Sequence, residues 1–246
     1  MPFTLAHPGA VLFLKNRRLR LTALVVGSMA PDFIYFLNLR PYGNLGHTIL
    51  GFFILNLPLC FIVSYLFHNV IKAPLIRHLP SPLDDYYFYL VKDRFKITSL
   101  REIIIFIYSA ILGMITHVIW DGFTHNSGFF VKNIPYLREN IRLLGVGEIY
   151  RYKIFQHGST LLGLIIVIFF LYNLRGKSIN SIKFKKNFKE KLTYYLVVII
   201  ACILVILFSF FLFYFLNINY GIGSFIVSTI NGVILGILVA SLKYKK

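Results

Sequence analysis

The sequence predicts an all-α polytopic membrane protein with about five transmembrane helices and a broken helical segment near the N-terminus. Three observations predict it. Of 246 residues, 57% are hydrophobic and only 14% are charged, against roughly 45–50% and about 25% in soluble domains. The apolar residues fall in long runs: Ile49–Phe67, Ile103–Trp120, Gly158–Leu174, Tyr195–Leu216 and Ile222–Leu242. The cations fall between those runs. A soluble globule of this composition lacks the polar surface to cover itself. A disulfide scaffold is excluded too, because the two cysteines, Cys60 and Cys202, lie inside apolar runs.

The runs read as helices for a reason specific to lipid. Their β-branched and Phe residues favour strands in water. In a bilayer an unpaired backbone is too costly, so only helices and closed barrels cross. Long apolar runs without alternation fit helices and not barrel strands. At 1.5 Å per residue, about 20 residues span the hydrocarbon. The two C-terminal runs meet that length, and the first two come close. Gly158–Leu174 is short and is expected as a tilted or partly buried helix. The run Leu21–Leu37 is interrupted by Pro31 and Asp32, and a proline there predicts a kink or a stop. Gly232 and Gly236 form a Gly-x-x-x-Gly pair, read as a helix-packing face.

Charge then orients the spans. The net charge is +17, from 26 Lys and Arg against 9 Asp and Glu. Most cations sit in Lys15–Arg20, His68–Arg101, Arg175–Thr193 and Lys243–Lys246, which the positive-inside rule puts in the cytoplasm. The spans then alternate without conflict. The expected localisation is a bacterial inner membrane, multi-pass, with the C-terminus cytoplasmic. Lys15–Arg20 followed by Leu21–Ala30 has the outline of a signal peptide, but Pro31 would follow the cut, so no cleavage is expected. The chain divides at its basic segment: 1–174 is a metal-binding helical membrane core, 175–193 a basic cytoplasmic linker, and 194–246 a transmembrane hairpin. The linker has aromatics only at Phe184 and Phe188, so its charge is read as topology and not as a nucleic-acid footprint. The expected partner is the lipid bilayer.

Ionisable groups inside spans are functional candidates by default. Asp32 and Asp121 lie within or against apolar runs. His7, His47, His117, His125 and His157 lie near run ends, whereas His68 and His78 fall in the basic loop and are set aside. The sharpest pattern is His117-x-x-x-Asp121-x-x-x-His125. At 100° per residue, such positions lie within about 80° of one another on a helix. Gly122 and the stretch Asn126–Gly128 suggest that the helix ends before His125. Imidazole and carboxylate at this spacing supply nitrogen and oxygen ligands to a divalent metal at about 2 Å. Hydrogen bonding at a helix end is the competing reading. The alternating spans bring His47, His117, Asp121 and His157 to one membrane face. His7 joins them only if the N-terminal arm is re-entrant.

Four motifs carry a resemblance: Met-Pro-Phe-Thr-x-x-His-Pro at Met1–Pro8, Gly-Ser-Met-x-Pro-Asp-Phe at Gly27–Phe33, Gly-His-Thr at Gly46–Thr48, and Thr-His-x-x-Trp-Asp-x-Phe-Thr-His at Thr116–His125. Together they resemble a bacterial membrane-protein family of unknown function. That family looks related to inner-membrane proteins described as metal-dependent hydrolases. More distantly it resembles zinc-dependent phospholipase C and the fungal and plant zinc nucleases. The resemblance covers about residues 1–175. It implies a phospholipase-C-like helical core holding zinc. The implied ligands are His7, Asp32, His47, His117, Asp121, His125 and His157. Asp32, His47, His117 and Asp121 would complete one four-ligand site, and Asp121 would bridge to a second ion. Three departures count against further ions: six residues precede His7, Asp121 and His125 are closely spaced, and Leu161 stands where an acid would follow His157. One zinc is the central expectation, with a second as the upper limit.

The implied activity is a membrane-embedded, metal-dependent hydrolase acting on a phosphoester of a lipid or other amphiphile. Zinc lowers the pKa of its water toward about 7, and Asp121 is the candidate catalytic base. Arg151 and Lys153 are candidate phosphate-binding residues, with interfacial anchoring as their competing role. Three other readings stay open: a structural or scaffold protein with a stabilising metal, a cation transporter, and a bis-histidine haem protein. The transporter lacks paired broken helices in both halves. The haem reading leaves Asp32 and Asp121 unexplained.

Overall fold

The computed structural model describes residues 3–14, 16, 18–143, 145, 147–176 and 186–244. Residues 177–185 of the expected linker lie outside them. The fold is all-α, with five helices among the described residues long and apolar enough to cross a membrane. The chain is a multi-pass membrane protein. The helices that matter here are α1 (Leu21–Met29), α2 (Phe33–Leu37), α3 (Ile49–His78), α4 (Leu100–Thr124), α5 (Arg151–Asn173), α6 (Phe188–Phe215) and α7 (Ile222–Lys243).

The break at Pro31 is present. α1 ends at Met29, a single tight turn covers Ala30–Asp32, and α2 resumes at Phe33. Each of the five spans starts at or before its apolar run, and side-chain caps from Thr48, Ser99 and Asn187 fix three of those starts. The Ser99 side chain accepts from the Glu102 backbone N–H and opens α4. Asn187 and Glu190 form a reciprocal capping box that opens α6 at Phe188. Residues 188–193, expected in the linker, are therefore its first turns. α5 gains Arg151–His157. It reaches full spanning length, and it is the least buried of the five spans instead of a partly buried one.

α3 runs past Phe67 to His78 and carries two widened π-helical stretches, Phe52–Asn56 and Phe67–Ile71. Each lies just before a proline, Pro58 and Pro74. A helical proline collides with the carbonyl four residues back. Those carbonyls belong to Ile54 and Val70, inside the two stretches, so the widening relieves the clash. The only strands among the described residues form a short antiparallel hairpin, Asn140–Leu143 with Gly147–Tyr150, in the loop before α5.

Two compact units can be distinguished. The first comprises Met1–Asp32, Leu45–Phe61 and Ile97–Asn173. Within it, α1 crosses α4 at small residues. A Cβ on Gly27 would lie 2.3 Å from the Ala110 carbonyl oxygen, and one on Gly113 would lie 2.4 Å from the Leu24 carbonyl oxygen. Only glycine allows this backbone contact, as in other membrane helix pairs. The second unit comprises Phe33–Asn44, Ile62–Lys96 and Leu174–Lys246. There α6 and α7 form a hairpin in which Gly232 and Gly236 face the Cys202 and Val198 backbone. The Gly-x-x-x-Gly pair is thus a packing face. Its buried polar groups bond across the hairpin, Ser228 to Ser209 at 2.7 Å and Tyr194 to Ser241 at 3.0 Å.

Candidate metal centre

The first unit gathers Asp32, His47, His117 and Asp121 so that one donor atom from each lies within 4.8 Å of the others. Three segments bring them in. Asp32 ends the turn at the Pro31 break. His47 lies two residues before α3, where the Thr48 side chain caps the helix. His117 and Asp121 are one turn apart on α4. The approach of His47 to Asp32 depends on Gly46, where a Cβ would lie 2.2 Å from the Pro31 carbonyl oxygen. The buried Asn56 side chain holds that turn by donating to the Gly46 carbonyl oxygen at 2.7 Å.

The separations fit a metal better than hydrogen bonds. His47 Nε2 is 3.6 Å from Asp32 Oδ1 and 3.4 Å from Asp121 Oδ2. His117 Nε2 is 3.5 Å from Asp32 Oδ1 and 3.3 Å from Asp121 Oδ2. A protonated histidine bonded to a carboxylate sits at about 2.7–2.9 Å. Ligands placed about 2.0–2.1 Å from a tetrahedral zinc are instead about 3.3–3.4 Å from one another. Asp32 Oδ1, His117 Nε2, Asp121 Oδ1 and His7 Nε2 are buried without a hydrogen-bond partner. Two carboxylates buried with unprotonated imidazoles leave an uncompensated charge that costs several kcal/mol. A divalent cation neutralises it, so the residues present fit the group.

Neighbouring groups aim these donors. His117 Nδ1–H donates to the Ser28 carbonyl oxygen at 2.6 Å, which leaves Nε2 as the lone pair facing the cluster. The Thr4 hydroxyl donates to Asp32 Oδ2 at 2.6 Å, leaving Oδ1 to the site. In the sequence, Thr4 and Ser28 stand out only as members of the Met1–Pro8 and Gly27–Phe33 motifs. A backbone carbonyl leaves no side-chain signal in a sequence.

The other candidates divide. His7 does return to the cluster. The segment Thr4–Ala10 is a short 3-10 helix held against α5, where Phe3 N–H donates to Thr160 Oγ1 at 3.1 Å. The His7 ring stacks on His117 with centroids 3.8 Å apart, and its Nε2 is 3.6 Å from Asp121 Oδ1. Burial pushes the His7 imidazole toward its neutral form. His125 caps α4, and its Nδ1–H donates to the Asp121 carbonyl oxygen at 3.1 Å. Its Nδ1 is 3.5 Å from Asp121 Oδ1. Asp121 therefore turns one oxygen to the four-residue set and the other to His7 and His125. His157 is exposed on the second turn of α5 and is not in the gathered group. Arg151 pairs with Glu139 and lies over the Tyr136 ring at 3.8 Å. Lys153 is exposed.

Fold and site together define a class: a multi-pass helical membrane protein with a buried His/Asp cluster able to hold a divalent metal. The chain belongs to the family described as a domain of unknown function (DUF4184), whose model matches residues 1–242. No curated protein matches it. No solved structure matches it either.

Proposed function

We propose that this protein is a membrane-embedded, metal-dependent hydrolase of phosphoesters carried by lipids or other amphiphiles. The supporting observation is the set of donor atoms in Asp32, His47, His117 and Asp121 that face one another at metal-ligand and not hydrogen-bond separations, with Asp32 Oδ1 and His117 Nε2 buried and without a hydrogen-bond partner. Asp32, His47, His117 and Asp121 would hold one zinc, and His7 with the outer oxygen of Asp121 offers part of a second position. When bound, zinc supplies Lewis acidity and lowers the pKa of its water toward about 7. Asp121 Oδ1 is placed to accept a proton from an attacking water, and the His7–His117 stack closes that side to solvent. Access is from the partly exposed His47 and His125 side chains. An apolar cavity of about 220 Å³, lined by His7, Phe13, Trp120, Leu162 and Ile166, supports an amphiphilic substrate. The proposed location is a bacterial inner membrane, with the C-terminus in the cytoplasm.

One observation favours a second reading. Four protein donors fill a tetrahedral shell, as in structural zinc sites, whereas catalytic sites usually keep a position open. The metal would then stabilise a scaffold. The test is metal content per chain in mild detergent, followed by hydrolysis of phosphatidylcholine and phosphatidic acid in mixed micelles. The wild type should carry about one zinc, and Asp32→Ala and His117→Ala should carry essentially none. Asp121→Asn should abolish phosphate-ester cleavage. A wild type without metal, even after loading with zinc or manganese, defeats both readings. Bound zinc without cleavage, with a large loss of thermal stability on chelation, selects the structural one.

A further inference from the structure

The second unit contains a cavity of about 610 Å³, within the range of small-ligand pockets. Its lining includes Arg77 near the end of α3 and Lys92, Arg94 and Lys96 from the segment that follows, with no Asp or Glu among the lining residues. Positive-inside topology explains why cations are present, but not why they surround a cavity. Lys92, Arg94 and Lys96 are themselves exposed and reach water, but topology alone does not require that they gather around a cavity. Here the segment is fastened to the helix. The Asn69 side chain donates to the Phe95 carbonyl oxygen and accepts from the Phe95 N–H, both at 3.2 Å. The Phe95 ring stacks on His68 with centroids 6.2 Å apart. Behind it, buried Lys72 donates to His68 Nδ1 at 3.1 Å. Asp93, the only acid between Val91 and Lys96, acts electrostatically on Lys72, so it offsets that buried charge.

We propose that this cavity is an anion site for a phosphate-bearing ligand, with Arg77, Lys92, Arg94 and Lys96 as its recognition groups. Two sources share that chemistry: the headgroup of an anionic lipid, and a soluble phosphate compound. Guanidinium groups bind phosphate oxygens in a bidentate way. A basic pocket beside a membrane helix is a known setting for anionic headgroups. The site is independent of the metal centre, and so is its test.

The experiment titrates inorganic pyrophosphate into the full chain in neutral detergent. It is repeated after reconstitution into phosphatidylcholine vesicles with and without phosphatidylglycerol. Saturable binding is expected, weaker at high salt, and weaker by about tenfold or more in Arg77→Gln/Arg94→Gln. The control Lys132→Gln/Lys189→Gln, which removes equal charge from exposed positions outside the cavity, should bind as the wild type does. Arg94→Gln alone, at an exposed position, supplies the answer if the double variant fails to fold. Loss of pyrophosphate binding only when phosphatidylglycerol is present identifies the lipid headgroup as the natural occupant. Binding that persists in both vesicles identifies a soluble phosphate. Absence of saturable binding in detergent, or equal weakening in the control, overturns the proposal.

Discussion

Both units bury polar side chains among apolar helices, and they do so in opposite ways. In the hairpin of α6 and α7, Ser228 meets Ser209 and Tyr194 meets Ser241, donor to acceptor, at 2.7 and 3.0 Å. These pairs tie two helices together and leave nothing for a ligand. In the other unit, Asp32, His117 and Asp121 turn lone pairs toward one another and stop at 3.3–3.5 Å. The outer atoms of Asp32 and His117 are committed, to Thr4 and to the Ser28 carbonyl. Burial of polar groups is therefore not the signal of a site. The signal is burial in which the atoms that face one another are left without hydrogen-bond partners while neighbouring groups hold the far side of Asp32 and His117.

Matched glycine substitutions test that contrast most severely. Gly113→Ala in α4 would set a Cβ 2.4 Å from the Leu24 carbonyl oxygen and 2.7 Å from the Ser28 nitrogen. The backbone that orients His117 must then move. Gly236→Ala in α7 would set a Cβ 2.8 Å from the Val198 Cα and carbonyl oxygen. Both should lower thermal stability, since overpacking costs about 1–3 kcal/mol. Only Gly113→Ala should also weaken zinc binding, by about tenfold or more. Thermal unfolding and zinc titration on the same preparations measure both effects. Equal zinc affinity in the two variants would separate the α1–α4 crossing from the site.

A smaller effect sharpens the role of the outward atoms. Thr4→Val keeps the shape of the side chain but removes the hydroxyl that donates to Asp32 Oδ2. Removing such an orienting bond typically costs 10- to 100-fold in metal affinity. Zinc competition against a chelator should show a loss in that range, with the helix content unchanged. Ser209→Ala, which breaks the pair with Ser228, should leave the zinc affinity where it was.

The spans were legible because length and hydropathy alone decide what crosses a bilayer. Their ends were not, because they depend on caps such as Ser99 and Asn187 that lie outside the apolar windows. The extension of α3 to His78 was hidden by Lys72 and Arg77, which read as loop. Lys72 is in fact buried, with its ammonium on His68. In the site, His117 and Asp121 were readable from helical spacing, and Asp32 from the oddity of an acid in an apolar run. His7 was not placeable from spacing, since nothing in residues 8–14 encodes the turn that stacks it on His117. The basic segment after α3 was read as topology, and only the Asn69–Phe95 pairing shows that it encloses a cavity.

The smallest expected effect concerns His157. The resemblance carried it into the ligand set, and run position put it on the same face as the others. The structure instead places it exposed on α5, outside the cluster. His157→Ala should therefore leave zinc content and affinity unchanged. His7→Ala, which empties a buried position 3.6 Å from Asp121 Oδ1, should keep the first zinc but lose any second ion and slow hydrolysis. Metal analysis of the two variants side by side decides it. If His157→Ala loses zinc, the first turns of α5 must unwind to deliver that side chain. The four-residue shell would then be incomplete without it. If neither variant changes metal content and only His7→Ala loses activity, one ion suffices, and His7 acts by closing the site to water.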